Sequence, residues 1–124
     1  MKKTLKKILL IIIFSVLSTS SFAEFSINKM PNLTTAALYP ACNLLLESTP
    51  REHGLYQGLC IGIILGVEDN AHYDQKICAP IDANIKDRIQ IVRDYVVTQP
   101  KRMDEAFASL AFDAMVEKWP CTVK

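Results

Sequence analysis

The stretch GLYQGLCIGIILG, Gly54 to Gly66, holds all four glycines of the chain, at positions 54, 58, 62 and 66. A spacing of four places them in one stripe of an α-helix. Glycine inside a helix costs about 1 kcal/mol relative to alanine, so four in a row along one face need a reason. The centre, GIILGV (Gly62–Val67), would pass for a buried strand in isolation. It lies, however, in a window with a helix-start pattern: Thr49 as N-cap, Pro50 at the first helical position and Glu52 three residues after Thr49. A helix from about Arg51 to Asp69 is expected.

On either side the pattern stays helical. TTAALYPACNLLLES contains Pro40, which should break or start a helix, so its firm part runs from Pro40 to Glu47. TPRE makes the turn into the glycine helix, and a connector follows from Asn70 to Ile81. Asp82 can cap a third helix to about Thr98, with Ile85, Ile89, Val92 and Val96 on one stripe. Pro100 opens a fourth helix that ends near Trp119, with Met103, Phe107, Leu110 and Ala114 on one face. The expected fold is all-α, a small bundle of about four helices in two antiparallel hairpins. Its domain spans residues 38–124, after a loosely ordered segment at 24–37.

The first 23 residues, MKKTLKKILLIIIFSVLSTSSFA, have four lysines, an apolar run from Ile8 to Leu17 and small polar residues before Ala23. This is the layout of a secretory signal peptide cut after Ala23. The run is about half the roughly 20 residues that a membrane span needs. No cysteine sits at the cleavage point, where Glu24 stands, which argues against a lipid anchor. Cleavage removes Lys2, Lys3, Lys6 and Lys7 and leaves 10 basic against 13 acidic residues, a net charge of −3. No basic patch points to nucleic acid, and no membrane contact is expected after cleavage. The lysine-rich leader leans bacterial, which makes the periplasm the expected location.

Cys42, Cys60, Cys78 and Cys121 all follow the signal. An exported chain of this size with an even cysteine count reads as a disulfide framework. Zinc is disfavoured: there is no C-x-x-C, and His53 and His72 lie far from any paired-ligand spacing. Free thiols are the remaining alternative, and nothing places a histidine beside Cys60 or Cys78 for nucleophilic catalysis. Hairpin geometry gives the pairing. Cys42 and Cys60 lie nine residues before and after a turn centred near residue 51, at matching heights. The end of the fourth helix returns to the start of the third, which brings Cys121 to Cys78. A disulfide needs Cα atoms about 5–6 Å apart, closer than the usual 8–10 Å between helices. Glycines flanking Cys60 are expected to allow that close approach within the chain. The same stripe, Gly54, Gly58, Gly62 and Gly66, could instead receive a helix from a second copy or another partner.

Two blocks then carry a resemblance: CIGIILG (Cys60–Gly66), and Cys78–Cys121, which opens CAP and closes WPC. Cys60, Gly62 and Gly66, then Cys78 and Pro80, then Tyr95 and Pro100, then Trp119, Pro120 and Cys121 resemble the Rap/Tai family of amidase immunity proteins of type VI secretion. Ile63 departs from that pattern, where an aromatic is usual. The resemblance covers residues 38–121 and implies a small, exported, all-helical protein, often dimeric. It would block a papain-like amidase that cuts the peptide stems of the cell wall, without cofactor or catalysis of its own. The residues agree: they offer no nucleophile–base arrangement, no metal spacing and no phosphate loop.

An inhibitor needs a protruding element with anchors that pack and polar groups that pair. VEDNAHYDQKI (Val67–Ile77) is the candidate, with Glu68, Asp69, Asn70, His72, Tyr73 and Asp74 in an expected loop tethered by Cys78. The bland reading is a solvated connector. TQPKR (Thr98–Arg102) is a second candidate, with a plain helix–helix turn as its bland reading. A different class of function also fits the composition: a small periplasmic acid-stress chaperone that loosens at low pH and exposes apolar surface.

Overall fold

A computed structural model describes residues 33–47 and 54–122 of the protein. The expected signal peptide and the Thr49–Pro50–Glu52 capping pattern lie outside these residues. Four α-helices follow one another: α1 Thr35–Leu46, α2 Leu55–Tyr73, α3 Ile85–Val97 and α4 Phe107–Lys118, with a 3-10 turn at Pro100–Arg102. The fold is all-α. Among the described residues the only β pairing is two isolated antiparallel bridges, Thr34–Ala106 and Ile77–Pro120. Helix α1 packs on α2 and α3 on α4, and α2 meets α4 while α1 meets α3, so the two hairpins close into one bundle.

The core follows the helical period. Leu38 and Cys42 of α1 meet Cys60 and Ile64 of α2, Ile89, Val92 and Val96 of α3, and Phe107, Leu110 and Met115 of α4. Burying each large side chain removes it from water at a gain of about 1.5–3 kcal/mol. The expected stripe of α3 is the buried one, with Ile85 partly covered.

The helix ends differ from expectation, each for a physical reason. Helix α1 starts at Thr35, ahead of Pro40, and takes three residues from the segment expected to be loose. Its free N-terminal N–H groups are satisfied from across the bundle: Thr35 N–H donates to Glu105 O at 2.9 Å and Ala36 N–H to Met103 O at 2.9 Å. Pro40 then costs one backbone bond on an exposed side. Helix α2 begins at Leu55 rather than Arg51, because Gly54 is extended (ψ 174°) and forms the N-cap. Helix α3 is capped by Asn84 rather than Asp82, in a reciprocal box: Asp87 N–H donates to Asn84 Oδ1 at 3.1 Å and Asn84 N–H to Asp87 Oδ2 at 2.9 Å. The fourth helix does not run on from Pro100. Residues 105–107 are held extended against 33–35, with Phe107 N–H donating to Leu33 O at 3.0 Å, and α4 starts only at Phe107.

Both disulfides form as the hairpin geometry requires. Cys42–Cys60 joins α1 to α2 at a Cα separation of 5.6 Å, and Cys78–Cys121 joins the segments after α2 and α4 at 4.9 Å. In the chain-entropy picture, closing their 18- and 43-residue separations stabilises the fold by about 3 and about 4 kcal/mol. The glycines do not serve the close approach expected of them. A Cβ added at Gly58, Gly62 or Gly66 would meet nothing within 4 Å. Cys60 is two residues from both Gly58 and Gly62, about 200° around the helix, so the cysteine faces the core and the glycines face away.

Helix α2 ends four residues later than expected, in a Schellman closure built on Gln75. Gln75 N–H donates to His72 O at 3.0 Å and Lys76 N–H to Ala71 O at 2.9 Å, while Gln75 itself holds φ of 53°. A left-handed backbone costs a side-chain-bearing residue about 1–2 kcal/mol, and glycine escapes most of this. Gln75→Gly should therefore stabilise the protein by about 1 kcal/mol, less some unfolded-state entropy. A circular-dichroism melt should show a midpoint raised by roughly 2–4 °C; an unchanged or lowered midpoint would refute the strain.

Candidate partner-binding site

The late end of α2 changes the setting of the candidate residues. Glu68, Asp69, Asn70, His72 and Tyr73 stand on its last turns rather than in a loop, and Asp74 is its C-cap. The helical period then separates them. Glu68, Asp69 and His72 face a groove of about 650 Å³ shared with Leu65, Ile77, Ala79, Pro80, Ile81 and Arg88. Asn70 and Asp74, four apart and on the opposite side, face a groove of about 570 Å³ shared with Val67, Arg102, Glu105, Phe112 and Asp113. The six residues do not converge on one surface.

The first groove is walled by the true connector, residues 75–84, which is fixed at both ends. Ile77 is fully buried and bridges to Pro120, Cys78 N–H donates to Trp119 O at 2.8 Å, and Cys78 is bonded to Cys121. At the far end Ala83 N–H donates to Pro80 O at 3.1 Å, and the Arg88 guanidinium donates through Nη1 to Ala83 O. Between these ties Ile81 projects at 106% relative exposure, and Tyr73, the last residue of α2 and outside the lining of the groove, stands at 80%. Large apolar side chains held this far into water on a fixed frame gain by docking into another surface.

Glu68 is engaged within the fold. Its carboxylate takes both Nε and Nη2 of Arg88, at 2.5 and 2.7 Å, with side chains only 17% and 14% exposed. The hydrogen bond that Arg88 donates to Glu68 raises the Arg88 pKa above its ordinary value against the pull of burial. The guanidinium also lies 5.8 Å from the Trp119 ring centroid. Glu68 is therefore a structural partner of Arg88, and Asp69 and His72 are left to present polarity at the rim.

The second groove has its own fixed charge. Arg102 donates to Glu105 at 2.7 and 2.9 Å, to Asp113 at 2.8 Å and to the Tyr95 hydroxyl at 3.1 Å. The Glu105 carboxyl is held below its usual value by the hydrogen bond from Arg102. Arg102 belongs to the second sequence candidate, Thr98–Arg102, and here it braces the turn into α4. Reading the sequence passed over Ile81 and Arg88. Ile81 carried a signal, an isoleucine between Pro80 and Asp82 just after a cysteine, where a turn leaves it nowhere to bury. Arg88 carried none, since its partner is 20 residues away.

All four cysteines are in disulfides, which removes them as thiolate nucleophiles or zinc ligands. Among the described residues no cluster of histidine, cysteine and carboxylates is placed to hold a metal ion, and no helix is long and apolar enough to cross a membrane. The fold is thus a small helical bundle stapled by two disulfides. The family model of the Rap1a immunity proteins matches residues 34–121, and the chain belongs to that family. The match takes in all four helices and both disulfides. Membership implies a protein that acts by binding a toxin. No curated protein and no solved structure matches the chain.

The Arg88–Glu68 pair can be weighed directly. Glu68→Gln leaves a half-buried guanidinium short of its counter-charge and should cost about 2 kcal/mol, between the values for exposed and buried pairs. Arg88→Met should cost a similar amount, and the double variant less than the sum, with a coupling of about 1 kcal/mol or more in urea titrations. Additive losses would mean that the pair does not hold the frame.

Proposed function

We propose that the protein is a periplasmic immunity protein that binds and occludes a peptidoglycan amidase delivered by a type VI secretion system. The observation that carries this reading is the family match over residues 34–121, the whole helical domain. The signal-like leader supports export, and the amidase target follows from the Rap/Tai resemblance. The binding surface in this reading is the end of α2 with the turn after it. Tyr73 and Ile81 are its apolar anchors, and Asp69 and His72 its polar rim. A cleft enzyme is a fitting partner, because a concave site accepts projecting side chains on a rigid frame. Binding needs no reacting group, which agrees with a non-enzymatic role.

The same reading includes a homodimer. The open face of α2, with Gly58, Gly62 and Gly66 between exposed Leu55 and Leu65, allows a second helix to approach closely. Sedimentation should then find a dimer that Gly62→Arg converts to a folded monomer; a monomeric wild type would remove this part of the reading.

The decisive test is protection. A panel of cell-wall amidases directed to the periplasm of a test bacterium should lyse cells, and co-expression of this protein should rescue them from one member. The purified pair should form a stable complex. Tyr73→Ala and Ile81→Ala should each weaken that complex tenfold or more, about 1.4 kcal/mol, without lowering the melting midpoint. Asp69→Lys and Asp74→Lys, which face opposite grooves, should differ, with Asp69→Lys the more damaging. Absence of rescue and complex across the panel would defeat the amidase target. Hydrophobic-dye binding and suppression of unrelated aggregation near pH 2–3 would then favour the acid-chaperone alternative.

A further inference from the structure

The two disulfides have different surroundings. Cys42 and Cys60 are sealed in the core at 1% and 0% exposure. Cys78 is exposed and Cys121 half-buried. They also join different things. Cys42–Cys60 ties helix to helix, within the cluster that holds Leu38 and Ile64. Cys78–Cys121 ties no helix to another. It fastens the turn after α2 to the tail after α4, next to the residues Ala79, Pro80 and Ile81 that wall the groove.

We propose that Cys78–Cys121 is a redox-sensitive clamp on the partner-binding turn. A dithiol reductant opens it while Cys42–Cys60 stays closed, and Ile81 then loses the fixed placement that docking requires. What is lost on opening rests on the partner-binding reading above; which bond opens does not. In the reaction a thiolate of the reductant attacks one sulfur of the pair. The S–S bond breaks, a mixed disulfide forms, and the other cysteine leaves as a thiolate that takes up a proton. The second thiol of the reductant gives up its proton and displaces the mixed disulfide. Two electrons and two protons pass to Cys78 and Cys121, and the reductant ends as a disulfide. Such attack needs access to sulfur. Solvent reaches Cys78, whereas Cys42–Cys60 is reached only if the bundle opens.

The change on reduction is local. The buried side chains of α1 to α4 keep their contacts, and the second staple still joins α1 to α2. The turn keeps the Cys78–Trp119 backbone bond, the Ile77–Pro120 bridge and the Arg88 hold on Ala83, which can fray one at a time once the covalent tie is gone. A less ordered turn must be fixed again when a partner binds, and affinity falls accordingly.

Dithiothreitol is the probe. The purified, fully oxidised protein is treated at increasing concentrations, quenched with iodoacetamide and mapped by peptide mass. Cys78 and Cys121 should be labelled at least tenfold faster than Cys42 and Cys60, with helical circular dichroism retained. Amides of residues 77–84 should exchange at least tenfold faster after opening, while those in the core of α2 do not change. Simultaneous labelling of all four cysteines, or loss of helix on opening, would overturn the clamp. In a second arm, Cys78→Ala/Cys121→Ala should bind the amidase found by the protection test at least tenfold more weakly than the oxidised protein. Wild type that is selectively reduced and then reoxidised should regain full affinity. Equal affinity of the double variant, or its failure to fold, would also overturn the proposal. If the oxidised protein binds no amidase, the proposed function fails by itself, and labelling and exchange still decide the clamp.

Discussion

Arg88 is the point at which the parts of the first groove meet. It stands on α3, grips Glu68 of α2 with two nitrogens, gives a third to Ala83 of the turn and lies over Trp119 at the end of α4. A lysine could not make these contacts together, because only the planar guanidinium offers a fork and further donors in fixed directions. Taken one at a time the interactions are modest. Their effect comes from joining three helices and a turn at one half-buried charge, so that the last turns of α2 and the wall at Ala79–Ile81 hold a constant relation. Cys78–Cys121 and the Ile77–Pro120 bridge fix the other end of the same wall.

How much was legible follows from whether the cause is local. The apolar stripe of α3 recurs at helical spacing, and Ile89, Val92 and Val96 are buried where the period puts them. The disulfides were legible because a hairpin converts sequence distance into height. Helix ends were not, since nonlocal bonds set them. Thr35 and Ala36 find their acceptors about 70 residues away, and that pairing both lets α1 begin before Pro40 and stops α4 from beginning at Pro100. The end of α2 depends on Gln75 taking a left-handed backbone that its identity does not advertise.

The arrangement of the candidate residues was not legible in the sequence. Reading Val67–Ile77 as a loop hid the helical period that sends Asp69 and Asp74 into different grooves. Glu68 looked available because its partner is on another helix. Ile81 fell outside the region chosen, although a proline, an aspartate and a nearby cysteine all pointed to a tight turn with an unburied isoleucine.

The glycine stripe shows how a correct observation can meet the wrong cause. Gly58, Gly62 and Gly66 are helical and evenly spaced, as their positions demand. Close packing on α1 failed because a residue two positions from a cysteine lies on the other side of a helix. What remains is three helix-weakening residues on a face where a side chain would meet nothing. Alanine there would clash with no neighbour and would strengthen α2 by about 1 kcal/mol at each site. Among the described residues no close contact offsets that cost. Leu55 and Leu65 stand exposed beside the stripe, so this side of α2 carries apolar area that the described bundle does not cover. The cysteine side of α2 thus builds the domain, while a methyl group on its glycine side would touch nothing among the described residues.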